Sequence, residues 1–222
     1  QDDVRTIGGG VPQAKQPIAV LGPGTGLGTA FLHWDEIHNT YDVFASEAGH
    51  VDFAARTPLE TGLLEYLKLR YGRVSNERVL SGQGLVDIFS FLTDDPAFRA
   101  LVLPETRDRM AGAEDRAAVI SSQGMPEDGA LRDPVCQIVL SIFTSALGAV
   151  AGNAALTLLT TGGVYIAGGI PPRIVSFLEQ SGIRESFEHK GRFRPRVQQI
   201  PLFIITGPNP GLRGAAAYAA RL

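Results

Sequence analysis

Gly22-Pro23-Gly24-Thr25-Gly26-Leu27-Gly28 stands between two short apolar runs, Pro17-Ile18-Ala19-Val20-Leu21 before it and Leu27 to Trp34 after it. Extended apolar segments on either side of a glycine-rich turn read as a β-hairpin. The glycines take Cβ atoms out of the turn, so several backbone N–H groups can converge on an anion, and Thr25 adds a hydroxyl donor. It is not the P-loop pattern, because no Lys-Ser/Thr closes it and it sits between two strands. Taken alone it reads equally well as an ordinary glycine turn. A third extended stretch, Tyr41 to Phe53, is interrupted at Glu47-Ala48-Gly49-His50, so three sequential strands are expected to open the domain.

Helical signals follow. Thr57-Pro58-Leu59-Glu60 offers an N-cap, a proline at the first helical position and an acid in the first turn. Leu63, Leu64, Leu67 and Tyr71 form a face at helical spacing, and Gly72 can end it. Gly84 to Leu92 and parts of 96–121 also read as helix. Asp133-Pro134 starts a long helix in which Ser141, Ser145, Gly148 and Gly152 let a neighbour approach closely. Val164 to Ala167 is a buried strand, Pro171 to Gln180 a helix, Pro201 to Thr206 a strand and Leu212 to Leu222 a closing helix. Setting aside 57–132 as a helical insertion, the order is β-β-β-α-β-α-β-α, a mixed sheet covered by helices. That is the order of one half of the α/β actin-like ATPase (ribonuclease H-like) architecture.

Composition narrows the classes. The 222 residues carry a formal net charge of -3, with 44% hydrophobic and 19% charged residues, which excludes a disordered chain and a nucleic-acid surface. One cysteine, Cys136, excludes a disulfide scaffold and a multi-cysteine zinc site. Pro134 to Pro172 holds no Asp, Glu, Lys or Arg, but its internal polar residues and the break at Thr160-Thr161-Gly162-Gly163 favour a buried helix and strand over a membrane span. The chain opens on Gln1-Asp2-Asp3 with no apolar leader, so a soluble, cytoplasmic chain is expected, a processed or truncated piece of something longer. Residues 1–16, with Gly8-Gly9-Gly10, read as a polar connector.

Three more segments can carry chemistry. Glu47 and His50 can exchange hydrogen bonds with a polyhydroxylated ligand, although a solvated bend explains them more simply when they are taken alone. Asp52, two residues on, would share a strand face with His50 and reads as structural. Glu77-Arg78-Val79-Leu80-Ser81-Gly82 reads first as a cap or surface salt bridge. Gly162-Gly163 and Gly168-Gly169 bracket a buried strand whose carboxyl end opens a helix, where a ligand can meet backbone and helix N-terminus. Cys136 reads as a small buried hydrophobe, His33, His38 and His189 lack metal-ligand spacing, and the charges of 94–128 read as a solvated helical face.

Taken together, these segments resemble the bacterial-type glucokinase family of the hexokinase–actin superfamily, from about Asp2 to Leu222. The most specific pieces are Pro17 to Gly28, Glu47-Ala-Gly-His-Val-Asp-Phe53 and Glu77-Arg-Val-Leu-Ser-Gly82. Gly163 to Ile170, His189-Lys-Gly-Arg-Phe193 and Asn209-Pro-Gly-Leu212 add to them. The resemblance implies that Glu47, His50 and Glu77 bind glucose hydroxyls. It implies that Gly24, Thr25 and Gly26 belong to a phosphate motif, and Gly168 with Gly169 to an adenosine motif. It also implies ATP and Mg2+ as cofactors, a homodimer, and a place at the first step of glycolysis. Ala48 stands where many members have glycine, and the single cysteine excludes the zinc motif of the related repressor/sugar-kinase group.

Two family features are absent from the sequence: the first phosphate motif, of the Asp-x-Gly-Gly-Thr type, and the Asn-Asp pair that supplies the catalytic base, which is expected upstream of residue 1. The chain is therefore expected to be the large C-terminal domain of a two-domain sugar kinase, without its small N-terminal domain and nearly inactive as it stands. The alternatives are a kinase for another hexose and a non-catalytic sugar- or nucleotide-binding sensor.

Overall fold

The hairpin forms as its sequence requires. In the computed structural model, which describes residues 3–125 and 131–220, β1 spans Val4–Gly8, β2 Ile18–Pro23, β3 Leu27–Asp35 and β4 Thr40–Ser46. Helices α1 (Pro58–Tyr71), α2 (Asn76–Val79), α3 (Gly82–Asp94), α4 (Pro96–Leu101), α5 (Pro104–Gly112) and α6 (Arg116–Gly124) occupy the stretch expected to be helical. Then come α7 (Pro134–Leu158), β5 (Gly163–Ile166), α8 (Val175–Gln180), α9 (Ile183–Glu188), α10 (Arg194–Val197), β6 (Leu202–Ile205) and α11 (Pro210–Ala219). Residues 1–2, 126–128 of the polar stretch and the last two of the closing helix fall outside the described residues.

The six strands form one sheet in the order β1-β6-β5-β2-β3-β4. β2, β5 and β6 run parallel, and β1, β3 and β4 pair antiparallel with their neighbours. Two expectations change. Residues 1–16 are not wholly connector: Val4 to Gly8 is an edge strand on β6, with Val4 opposite Ile205 and Thr6 opposite Phe203. Its polar, glycine-rich sequence hides it, and its partner lies at the other end of the chain. The third extended stretch also ends early, at Ser46. Residues 48–50 wind into a single 3-10 turn instead of continuing the strand, so Asp52 and His50 share no strand face.

Local rules account for the helices. Thr57 caps α1 by accepting from the Glu60 N–H, and Gly72 ends it at φ 72. Asp133 caps α7, accepting from the N–H groups of Val135 and Cys136 at 2.9 Å each, while its second oxygen accepts from Leu103. α7 is apolar enough to cross a membrane, with mean hydropathy 1.8, but it is the central core helix, with Val139, Leu140, Phe143 and Leu147 fully buried. It lies against the sheet face formed by Ala19, Leu21, Val164 and Ile166, all buried. Cys136 is buried there, and burial pushes its thiol pKa far up, as expected of an inert hydrophobe.

Candidate functional site

Two hydrogen bonds convert the glycine turn from a hairpin end into a hub. The Gly24 N–H donates to the Gly26 carbonyl at 2.8 Å, and the Gly24 carbonyl accepts from the Gly82 N–H at 2.8 Å. The second contact seats the N-terminus of α3, capped by Ser81, beside the turn. The segment after β5 is laced to the same hairpin, with Ala167 N–H donating to the Leu21 carbonyl and Ile170 N–H to the Pro23 carbonyl. Gly168 has φ +90, and a Cβ there would lie 2.4 Å from the Pro23 carbonyl oxygen, so only glycine fits. The two glycine segments singled out in the sequence therefore touch.

A cleft of about 790 Å³ opens beside them. Gly24, Thr25, Gly169 and Ile170 line it on one side, and Gln83, Ser90 and Ser121 of α3 and α6 line it too. Thr25 is exposed at its edge. Glu114, Asp115 and Arg116 border the cleft too, and Arg173 approaches Asp115 at 3.6 Å across it. These charges are solvated, as a polar helical stretch should be, but they also form the rim of a cavity. Behind this wall Asp87, fully buried, accepts from Arg70, Tyr71 and Gln83 at 2.7, 2.7 and 2.8 Å. Arg70 and Gln83 both line the cleft, so the buried carboxylate sets their positions.

Glu47, His50 and Glu77 meet next to the hub. Glu47 begins the 3-10 turn and is almost fully exposed, and its carboxylate lies 3.7 Å from His50 Nε2. Glu77 Oε1 is 4.0 Å from His50 Nδ1. The turn is held by the Ala48 N–H, which donates to the Thr29 and Ser46 hydroxyls, and by Gly49, where a Cβ would lie 2.1 Å from the Leu27 carbonyl oxygen. Phe53 N–H donates to the Val74 carbonyl and Asn76 N–H to the Val51 carbonyl, which brings Glu77 alongside. Asp52 pairs with Arg73, and Arg73 also donates to the His50 carbonyl.

Glu77 is not the cap that its place before a helix suggests: α2 begins at Ser75 with no side-chain capping bond, and the Glu77 carboxylate turns to the hairpin instead. Its Oε2 accepts from the Leu27 N–H at 2.9 Å, and a Cβ on Gly26 would lie 2.4 Å from that oxygen. Gly26 thus makes room for a carboxylate of the neighbouring site, a job that spacing along the chain does not reveal. Gly168 likewise holds a backbone crossing. Among the described residues, no group of three His, Cys, Asp or Glu side chains could hold a metal ion.

The glucokinase family matches the chain over residues 1–222. The chain belongs to that family. A glucokinase of Nostoc punctiforme is 42% identical, with the whole chain and 66% of that protein aligned. A glucokinase of Yersinia pestis is 42% identical over 97% of the chain and 61% of its own length. The chain thus spans a little under two thirds of the length of the curated glucokinases it matches. A crystal structure of glucokinase from an Antarctic psychrotroph superposes with TM-score 0.80 at 33% identity, covering the whole chain and 63% of that structure. Balamuthia mandrillaris glucokinase, solved with glucose, gives TM-score 0.80 at 25% identity, covering 99% of the chain and 59% of that structure. A ROK-family glucokinase from Streptomyces griseus, solved with glucose and AMPPNP, is 20% identical at TM-score 0.63 and speaks to the fold. The fold is the expected actin-like ATPase α/β architecture.

Proposed function

We propose that this chain is the large C-terminal domain of an ATP-dependent glucokinase, whose intact form transfers a phosphoryl group from ATP to the 6-hydroxyl of glucose. The observation that carries the reading is a hydrogen bond that links the two halves of the site. Glu77 is bonded through the Leu27 N–H to the turn that carries Gly24 and Thr25.

In this reading the two carboxylates accept sugar hydroxyls and His50 either donates or accepts. A sugar lacking the hydroxyl that meets Glu77, the less exposed of the two, strands a part-buried acceptor, which gives discrimination. The Thr25 and Gly26 N–H groups, the Thr25 hydroxyl and the Gln83 N–H in the first turn of α3 offer donors for phosphate oxygens. Gly168 and Gly169 bring the backbone close to the nucleoside end of the cleft, and 790 Å³ accommodates a nucleotide. Magnesium, when bound, supplies charge neutralisation between phosphates. Among the described residues no carboxylate cluster would hold it. The base for the sugar hydroxyl lies outside these residues in this reading, in a small N-terminal domain that closes over the cleft. The intact enzyme works as a cytoplasmic homodimer.

Two assays test it. The 222-residue chain, mixed with glucose and Mg·ATP in a coupled assay, should turn over negligibly, whereas the protein extended by its upstream coding sequence should be active. Turnover by the 222-residue chain alone would place the base within it. A panel of hexoses offered to the extended protein should favour glucose over fructose and mannose. Inactivity of the extended protein on every hexose, with sugar binding retained, would replace the kinase by a sensor.

A further inference from the structure

The motif His189-Lys190-Gly191-Arg192-Phe193 takes no part in either half of the site described above, yet it closes a second cavity. This cavity measures about 600 Å³, within the range of small-molecule pockets, and lies between α7 and strands β2 and β3. Phe31, Val51, Phe53, Val150 and Ala154 make its walls apolar. Polar groups line it at two places, Thr29, Ser46 and Asn76 near the 48–50 turn and Asn153 beside Lys190, which enters across α7. The absence of a Cβ at Gly152 makes this possible, since one there would lie 2.5 Å from the Lys190 Cε.

Lys190 is an uncompensated cation. Its ammonium donates to the Ala149 carbonyl at 2.9 Å and to Asn153 Oδ1 at 2.8 Å, both neutral, which leaves its third N–H uncommitted. Among the described residues no carboxylate comes within ion-pairing distance of it. The other charges at the cavity are already matched: Arg56 pairs with Glu60 at 2.7 Å, and Asp52 with Arg73 at 2.6 Å. His189, on the same segment, is exposed. Burial and the nearby Arg56 lower the Lys190 pKa to about 8, as expected of a partly desolvated ammonium that lacks a counter-ion.

We propose that this cavity binds a small amphipathic anion, an oxyanion head carried on an apolar body, with Lys190 as its charge partner. An apolar wall beside one unpaired cation favours that combination over a neutral ligand or a bare ion. Ala48, Val51 and Asp52 line the same cavity. An occupant therefore touches from behind the turn that presents Glu47 and His50. The inference rests on this cavity alone and stands whatever the chain's catalytic role.

The probe is anilinonaphthalene sulfonate, titrated into the 222-residue chain and followed by fluorescence. Saturable binding of one equivalent is expected. Lys190→Met, which keeps the aliphatic stem, should weaken it at least tenfold. Ala154→Phe, which fills the cavity without touching the ammonium, should abolish it while circular dichroism stays native. In the unmodified chain, affinity should fall as the pH rises through about 8. Absence of saturable binding overturns the proposal. So does binding that survives both substitutions, or binding displaced by ATP, which would assign the signal to the other cleft.

Discussion

Replacing Gly148 by alanine sets two physical effects of opposite sign against each other. Gly148 lies in the interior of the 25-residue helix α7, where alanine is favoured over glycine by about 0.8–1.0 kcal/mol of helix propensity. On propensity alone Gly148→Ala should stabilise the protein. The structure argues otherwise, because α9 crosses α7 at this point. A Cβ on residue 148 would lie 2.3 Å from the Ile183 carbonyl oxygen and 3.0 Å from the Ser186 Cβ. The nearest obstacle is backbone, so no rotamer change relieves it and α9 must retreat. A gap of roughly 0.5–1 Å forfeits about a quarter to a half of each van der Waals contact it opens. Two of the side chains affected, Ile183 and Phe187, are fully buried.

Overpacking of this kind costs about 1–3 kcal/mol. A rigid backbone obstacle puts the cost near the top of that range, so the net loss after propensity is about 2 kcal/mol. For a chain of this size the midpoint should fall by roughly 4–8 °C, at about 2–4 °C per kcal/mol. The assay is thermal denaturation followed by far-ultraviolet circular dichroism. Gly112→Ala is the control: the last residue of α5 has no heavy atom within 4 Å of its would-be Cβ. That change should be neutral or raise stability by up to about 1 kcal/mol. A Gly148→Ala protein with an unchanged or raised midpoint would refute the close crossing of α9 over α7, and with it the path that brings Lys190 to its cavity.

Three further outcomes follow from the geometry. Gly26→Ala should push the Glu77 carboxylate off the Leu27 N–H and, in the proposed function, out of reach of a sugar hydroxyl, weakening glucose binding by about 1.5–3 kcal/mol, the worth of one hydrogen bond to a charged group. Calorimetric titration with glucose reads this, and unchanged affinity would remove Glu77 from the sugar site. Arg70→Met leaves the buried Asp87 carboxylate with two neutral donors and should cost about 1.5–3 kcal/mol in urea denaturation, whereas a neutral result would mean that the half-exposed Arg70 contributes nothing there. Lys190, lowered from 10.5 to about 8, is deprotonated in the folded chain before it is in the unfolded one. Over that window the unfolded state holds the extra proton, so stability should rise with pH between about 8 and 10.5, and Lys190→Met should flatten the rise.

Much of this protein was legible in the sequence alone, because the signals concerned are local. The hairpin follows from two apolar runs around a glycine turn. Thr57-Pro58 and Asp133-Pro134 begin α1 and α7 where their caps put them, and Gly72 ends α1, since a cap bonds backbone two or three residues away. The grouping of Glu47, His50 and Glu77 came from motif likeness, not from any local rule. Tertiary structure decided whatever depends on partners far along the chain. Val4 to Gly8 became a strand because β6 was there to accept it, and residues 48–50 left the strand pattern because Thr29 and Ser46 captured the Ala48 N–H. Only the packed chain shows that Gly26 accommodates Glu77, that α3 and α6 wall the larger cleft, and that Gly152 lets an unpaired lysine reach a second one. Each of these is a steric or electrostatic fit between segments that sequence periodicity treats as independent, so it exists only once the core has fixed their distances.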